Sequence, residues 1–153
     1  MINSKTLWLL GIGLSLFLAC KNNAQKPFGK DPALEGARWT LVEMKGVAIS
    51  LPAGSQEIYL NFEGQSNTFG GHAGCNQCNG MYTTQDDMIK LQTMAVTKMA
   101  CPALEQESDF LKALEEVNRY ELKSKKENKI TVRYLFLFKD EQLLAKLKAG
   151  PLK

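Results

Sequence analysis

The residues best suited to chemistry lie in two short segments of this 153-residue chain. The first, residues 70–82, reads Gly-Gly-His-Ala-Gly-Cys-Asn-Gln-Cys-Asn-Gly-Met-Tyr and holds the only histidine, His72, with Cys75 and Cys78. The second, residues 97–101, reads Thr-Lys-Met-Ala-Cys and ends at Cys101. Thiol, disulfide and soft-metal chemistry are therefore the first to consider.

Three thiols and one imidazole are a suitable ligand set for Zn²⁺ or Cu(I). Cys75 and Cys78 form a C-x-x-C motif, with His72 three residues before it and Cys101 as a fourth candidate ligand. A second paired motif is missing, and a single C-x-x-C is a weak signal. Thiol or metal binding by these four residues is therefore kept as an alternative hypothesis.

Catalytic signatures are missing from the sequence. A Ser–His–Asp arrangement would have to use His72, yet the chain has no nucleophile-elbow motif. No glycine-rich phosphate loop follows a predicted strand and opens a helix. The acidic pairs at 86–87 and 115–116 are interpreted as a turn and a solvated helix face. We expect a non-enzymatic protein without a cofactor.

A small β-rich fold must position the two segments. Residues 57–62 alternate strictly between apolar and polar, and β-forming runs recur at 37–44, 68–71, 80–84, 88–92, 129–138 and 142–148. Helical spacing of apolar residues predicts one amphipathic helix over about 103–118, with Glu105 and Glu107 near its positive end. The predicted fold class is mainly β (α+β): a small β-barrel-like curled antiparallel sheet of about seven or eight strands with this helix.

The N-terminal part resembles a bacterial lipoprotein leader. Lys5 precedes an apolar run of about a dozen residues, too short to span a bilayer, and the run ends in Leu-Ala before Cys20. Residues 1–19 are predicted to be a signal peptide, Cys20 the lipid-attachment site and residues 20–32 a flexible tether. Lys21, rather than Asp, follows the cysteine, so we expect a lipid-anchored envelope protein on the outer rather than the inner membrane.

The net charge of the chain is +3, and lysines become frequent toward the C-terminus. An exported protein rarely meets nucleic acid, so none is expected as a partner. A solvated lysine face is favoured over attraction to anionic lipid head groups. We expect a monomer whose membrane contact is the anchor at Cys20; an envelope protein partner is unknown.

The remaining domain, residues 33–149, carries four short motifs in order: Trp-Thr-Leu at 39–41, Gly-Cys-Asn at 74–76, Gly-Met-Tyr at 80–82 and Thr-Lys-Met-Ala-Cys at 97–101. In these motifs it resembles the META domain, or HslJ-like, family. The resemblance implies a small β-barrel-like domain with one helix, an envelope location and a link to heat-shock or drug-stress tolerance. No catalytic residues are implied.

The matching motifs also suggest that Cys75 and Cys101 join as a disulfide in oxidising surroundings. Such a bridge would fix the helix start to the sheet. Cys78 departs from the family pattern and would be an odd thiol. A structural or binding module is the main hypothesis, with the thiol or metal binder and a small-ligand carrier in the barrel interior as alternatives.

Overall fold

The computed structural model describes residues 31–150, apart from the side chains of Thr93 and Met94. The predicted signal peptide, the predicted lipid attachment at Cys20 and nearly all of the predicted tether lie outside the described residues. Within them the elements follow in this order: β1 (Arg38–Met44), β2 (Val47–Ala48), β3 (Tyr59–Glu63), β4 (Thr68–His72), β5 (Gln77–Gln85), β6 (Met88–Val96), α1 (Leu104–Glu116), β7 (Arg119–Glu127), β8 (Ile130–Lys139) and β9 (Gln142–Gly150).

All strand pairs are antiparallel, and the sheet follows chain order from β3 to β9. The sheet curls round until β1 pairs with both β3 and β9, with Arg38 opposite Gly150. One residue pair, Met88 with Arg119, joins β6 to β7. The predicted fold class, a curled antiparallel sheet with one helix, is confirmed. No helix within residues 31–150 is long and apolar enough to cross a membrane.

The core lies between the inner face of the sheet and α1. Ile58, Leu60 and Phe62 are buried, as their alternation predicts, and Phe110 and Leu114 of α1 are fully buried. At one end of the ring the indole of Trp39, itself fully buried, donates a hydrogen bond to the carbonyl of Leu34 at 2.7 Å. Every buried core side chain lies between Leu34 and Leu147.

Two glycines, Gly71 in β4 and Gly80 in β5, allow the backbone of a neighbouring strand to approach closely. A Cβ atom at Gly71 would lie 1.9 Å from the carbonyl oxygen of Tyr59. A Cβ atom at Gly80 would lie 2.5 Å from the carbonyl oxygen of Gln92, beside an irregularity in the β5–β6 register. Any side chain at these two positions would therefore collide with the neighbouring backbone. Gly70 has room for a side chain, since its Cβ would meet one atom at 3.9 Å.

Strand β7 was not predicted, because its sequence hides the period of a strand. Its inner face carries Tyr120 and Leu122, but lysine and glutamate dominate its outward-facing positions and its C-terminal end. The helix was placed correctly, although it begins at Leu104 with Ala103 as its N-cap residue. Pro102 lies just before this N-cap residue, outside the helix.

Candidate functional site

The structure joins the two chemically distinctive segments. Cys75, in the turn between β4 and β5, forms a disulfide with Cys101, in the loop that leads into α1. Their Cα atoms are 5.7 Å apart, and the bridge closes 26 residues of chain. The loop before the helix is thereby fixed to the start of β5.

Asn76 makes a second connection between the same segments. Its side-chain oxygen accepts hydrogen bonds from the backbone N–H of Met99 at 2.7 Å and from the hydroxyl of Thr97 at 2.9 Å. Its side-chain nitrogen donates to the carbonyl of Met99 at 3.1 Å. Asparagine commonly bonds its own nearby backbone, but these partners of Asn76 are more than 20 residues away. The amide instead pairs with an extended segment much as a neighbouring strand would.

Glu107 of α1 completes the connection from the helix side. Its carboxylate accepts hydrogen bonds from the backbone N–H of Asn76 at 2.6 Å, the backbone N–H of Cys75 at 3.1 Å and the side-chain amide of Asn76 at 2.7 Å. The side chain is 5 % exposed. A buried carboxylate is stable only when its oxygens are satisfied in this way. We call Cys75, Asn76, Thr97, Cys101 and Glu107 the clamp.

Sequence reasoning missed the role of Glu107. It placed this residue correctly in the first turn of the helix, where the helix dipole favours an acid. That position already accounts for a glutamate, so nothing indicated a partner 31 residues earlier in the chain. The one available signal was the helical period, which places residue 107 beside Phe110 and Leu114 on the buried face.

Cys78 lies on the inner face of β5, two residues after Asn76 of the clamp. It is the free cysteine of the described residues, and 2 % of it is exposed. Burial, with a smaller contribution from the negative charge of Glu107, raises the pKa of its thiol to about 11. At neutral pH the side chain is therefore a protonated, buried thiol, the opposite of a reactive cysteine.

His72, at the end of β4, is also buried. Its Nδ1 accepts a hydrogen bond from the backbone N–H of Gly74 at 3.1 Å, and its ring stacks on Tyr59 with centroids 6.4 Å apart. Burial lowers the pKa of the imidazole, and the nearby charge of Arg38 lowers it further, against the opposite effect of Glu107. The ring is thus a neutral hydrogen-bond acceptor that shapes the turn.

The four residues of the metal hypothesis are divided by this arrangement. Cys75 and Cys101 are bonded to each other, Cys78 is buried in the core and His72 Nδ1 is occupied by Gly74. Within residues 31–150 no group of three or more histidine, cysteine, aspartate or glutamate side chains is arranged to hold a metal ion. Metal binding by this chain stays a prediction, and it would require the disulfide to be reduced first.

The small-ligand hypothesis needs space inside the curled sheet. The interior is occupied by large side chains that are almost or completely buried, among them Trp39, Phe69, Tyr82 and Phe110. Two of the aromatic rings, Phe62 and Tyr82, meet edge to face with centroids 5.0 Å apart. The carrier hypothesis stays a prediction, and a ligand in the interior would have to displace these side chains.

The fold is a small β domain, a curled antiparallel sheet with one helix. A disulfide bonds the loop before the helix to the turn between β4 and β5, and the buried carboxylate of Glu107 accepts hydrogen bonds from the same turn. Residues 32–149 match the model of the META domain family, so the chain belongs to that family. A solved NMR structure of a protein from Burkholderia xenovorans is similar in fold, with a TM-score of 0.56 at 24 % identity, and the match covers 82 % of this chain and 90 % of that one. None of the curated proteins matches the chain.

The clamp gives a physical reason why the two motifs that resemble the family occur together. Gly-Cys-Asn at 74–76 and Thr-Lys-Met-Ala-Cys at 97–101 are separate in sequence, but they are bonded to each other by one disulfide and three hydrogen bonds. The two motifs are therefore halves of one structural unit, completed by Glu107 from the helix.

Proposed function

We propose that this chain is a non-enzymatic lipoprotein of the bacterial cell envelope, anchored at Cys20, in which the META domain serves as a structural or binding module. The observation that carries the proposal is the disulfide between Cys75 and Cys101. Such bonds form and persist in the oxidising compartments that exported proteins reach. This agrees with the apolar leader and the small residue before Cys20.

The chemistry of the clamp supports a structural rather than a catalytic role. The oxygens of Glu107 accept three hydrogen bonds, and the pKa values of Cys78 and His72 are moved so that both side chains are neutral at pH 7. The Cys78 thiol is therefore not prepared to act as a nucleophile, and the acceptor atoms of His72 Nδ1 and Glu107 are already taken by hydrogen bonds from the protein itself. We propose that the protein acts as a monomer, needs no cofactor and does not bind nucleic acid.

Labelling of growing cells with radioactive palmitate tests the anchor. Wild-type protein should incorporate label and fractionate with the outer membrane, and Cys20→Ala should abolish incorporation. The matched control is Cys78→Ala, which removes a different thiol and should leave the label unchanged. Absence of label on the wild type, or label that survives Cys20→Ala, would overturn the proposal.

The resemblance also supports a role in tolerance of heat or drug stress. Cells that lack the protein should survive heat challenge less well than the parent. Wild-type protein should restore survival, and Glu107→Ala, which weakens the clamp, should restore it less. Equal survival of parent and deleted cells under heat and under drug treatment would remove this part of the proposal.

A further inference from the structure

Strands β7 and β8 extend beyond the rest of the sheet as a two-stranded arm. They pair along all nine residues of β7, whereas β8 pairs with β9 from Tyr134 onward and β7 meets β6 at one residue pair. Residues 123–126 are exposed, so neither face of the arm is covered there. The far half of β7 is therefore an edge strand.

The register of the arm fixes which of its main-chain groups are bonded. The turn between β7 and β8 consists of Asn128 and Lys129, both with positive φ. A two-residue turn of this kind is closed by a hydrogen-bonded pair, here Glu127 with Ile130. Bonded pairs recur at every second residue of an antiparallel ladder, so the odd-numbered residues of β7 direct their N–H and C=O groups to β8.

The even-numbered residues of β7 direct their main-chain groups to the other side. Tyr120 shows this direction, because its N–H donates to the carbonyl of Asp87 at 2.8 Å. Beyond Tyr120 the pairing with β6 has ended, and Leu122, Ser124 and Lys126 have no strand beside them within the described residues. We call these three positions the open edge. Unpaired N–H and C=O groups at this spacing are what an added strand satisfies.

Two cations lie at the far end of the open edge. Side chains alternate along a strand, so Lys125 lies on the outer face of the arm and Lys126 on the inner one. Neither forms an ion pair within residues 31–150. The nearby carboxylate of Glu127 is taken by the hydroxyl of Tyr134 at 2.7 Å and by Lys148 at 3.6 Å. An added strand therefore meets an unpaired positive charge on each face.

The near end of the open edge has the opposite charge. Asp86 and Asp87, with Leu122, line a surface depression of about 610 Å³ that leaves room for a chain beside the edge. Neither aspartate forms an ion pair in the part of the chain that the structure describes. Lys123 also lines the depression, but it is paired with Glu121. The open edge therefore runs from a negative end to a positive one.

We propose that the open edge binds an extended segment of another polypeptide by strand addition, with two consecutive acidic residues facing Lys125 and Lys126. Consecutive residues of a strand point to opposite faces, as these two lysines do. A second copy of this chain fits poorly, because antiparallel pairing centred on Ser124 would place Lys123 beside Lys125 in both halves. Residues 21–30 of the chain itself fit poorly too, since they contain three lysines and no acidic residue.

The inference rests on the binding role in the proposed function, to which it gives a class of partner, and not on the anchor at Cys20. A two-stranded arm is marginally stable by itself, and a third strand would stabilise it. The partner supplies main-chain groups for affinity and its acidic pair for selectivity.

A synthetic peptide, acetyl-Thr-Val-Thr-Glu-Glu-Val-Thr-amide with a fluorescent label, is the probe. The protein is the unlipidated chain from Lys21 onward, which contains the whole described core. Fluorescence anisotropy should show saturable binding of this peptide. The peptide with Gln-Gln in place of Glu-Glu should bind about tenfold more weakly, and the peptide with Lys-Lys more weakly still.

Substitutions separate the main-chain and side-chain contributions. Ser124→Pro removes one N–H of the open edge, spares the bonds to β8 and should weaken binding about tenfold or more, whereas Ser124→Thr should change it less than about twofold. K125Q/K126Q should weaken binding about tenfold. The matched control, K90Q/K112Q, removes the same charge from exposed lysines elsewhere and should weaken it less than about twofold. Circular dichroism melting checks that each variant is folded.

Amide hydrogen exchange followed by NMR reports strand addition directly on the wild-type protein. Before the peptide is added, the amides of Leu122, Ser124 and Lys126 should exchange quickly and those of Lys123 and Lys125 slowly. Saturation with the Glu-Glu peptide should slow exchange at the three open-edge amides about tenfold or more. Slow exchange at these amides in the free protein would mean that they already have partners and would overturn the inference.

Absence of peptide binding by the wild type, equal binding of the Glu-Glu and Lys-Lys peptides, or unchanged binding by folded Ser124→Pro would also overturn it. So would binding that leaves the open-edge amides unprotected, or equal losses in the two double lysine variants. The peptide result is independent of the palmitate result, because no lipid is attached to the protein in this experiment. A chain that takes up palmitate but does not bind the peptide loses this inference alone.

Discussion

Glu107 accepts a hydrogen bond from the backbone N–H of Asn76 at 2.6 Å, so a carboxylate of α1 is bonded directly to the turn between β4 and β5. The same side chain satisfies the N–H of Cys75, whose sulfur is already bonded to Cys101 at the approach to the helix. A covalent bond and a charge-assisted network thus hold the same two pieces of chain together.

Glu107→Gln should lower the free energy of unfolding by about 3 kcal/mol, because an amide presents one acceptor oxygen where the carboxylate presents two, and buried donors are left unpaired. Urea unfolding followed by circular dichroism measures the change. Glu105→Gln is the matched control: Glu105 lies in the same helical turn but is exposed, and its loss should cost less than about 0.5 kcal/mol. Equal effects of the two substitutions would show that helix-dipole stabilisation, and not the clamp, is what Glu107 provides.

Removal of the disulfide by the double substitution Cys75→Ala/Cys101→Ala should lower the free energy of unfolding by about 3 to 4 kcal/mol, since the bridge closes a loop of 26 residues. The comparison of oxidised and reduced wild-type protein in denaturant should give a similar difference. A reduced protein as stable as the oxidised one would mean that Glu107 and Asn76 hold the clamp without the covalent bond.

Cys78 should resist thiol reagents in the folded protein and react promptly once the chain unfolds. Its pKa of about 11 against an ordinary value of 9.0 leaves about 100-fold less thiolate at a given pH. Because the folded state holds this proton more tightly, the stability it contributes is present below pH 9 and is lost as pH rises from 9 toward 11. Cys78→Ala should remove this part of the alkaline destabilisation. Fast labelling of native protein at pH 8 would contradict the buried placement.

His72 gives a single histidine resonance to follow by NMR, since the chain has one histidine. Its pKa is lowered, chiefly by burial, so the resonance should titrate below the ordinary 6.5. Because the unfolded chain takes up this proton at a higher pH than the folded one, the contribution of His72 to stability is lost as pH falls below about 6.5. Titration at or above 6.5 in native protein would show that the ring is solvated.

Gly71→Ala should destabilise the domain by about 3 kcal/mol, because the added methyl group would lie 1.9 Å from the carbonyl oxygen of Tyr59 and the β3–β4 pairing would have to shift. Gly70→Ala is the control in the adjacent position. Its methyl group would meet one atom at 3.9 Å, and the cost should be less than about 1 kcal/mol. Thermal melting of the two variants measures the difference, and a reversed order would disprove the close approach at Gly71.

The fold was predictable where burial leaves a period in the sequence. The alternation of residues 57–62 predicted a strand, and the helical spacing of apolar residues such as Phe110 and Leu114 predicted α1. Strand β7 was missed because its second half is exposed and rich in lysine. Exposed strand positions accept any polar residue, so no alternation of apolar and polar residues marks it in the sequence.

The clamp was predictable in part. The resemblance of the two motifs to the family suggested the disulfide. Nothing suggested the hydrogen bonds of Glu107 and Asn76, which join residues more than 20 positions apart. Single hydrogen bonds over such separations leave no repeat in composition or spacing.

The pairing of β1 with β9 has a consequence for when the domain can fold. Arg38 lies opposite Gly150, so the first long strand must wait for the last before its second edge is satisfied. Contacts this distant in sequence are slow to form and cannot be made by a partly synthesised chain. The ring therefore cannot close until β9 (Gln142–Gly150) is available to pair with β1.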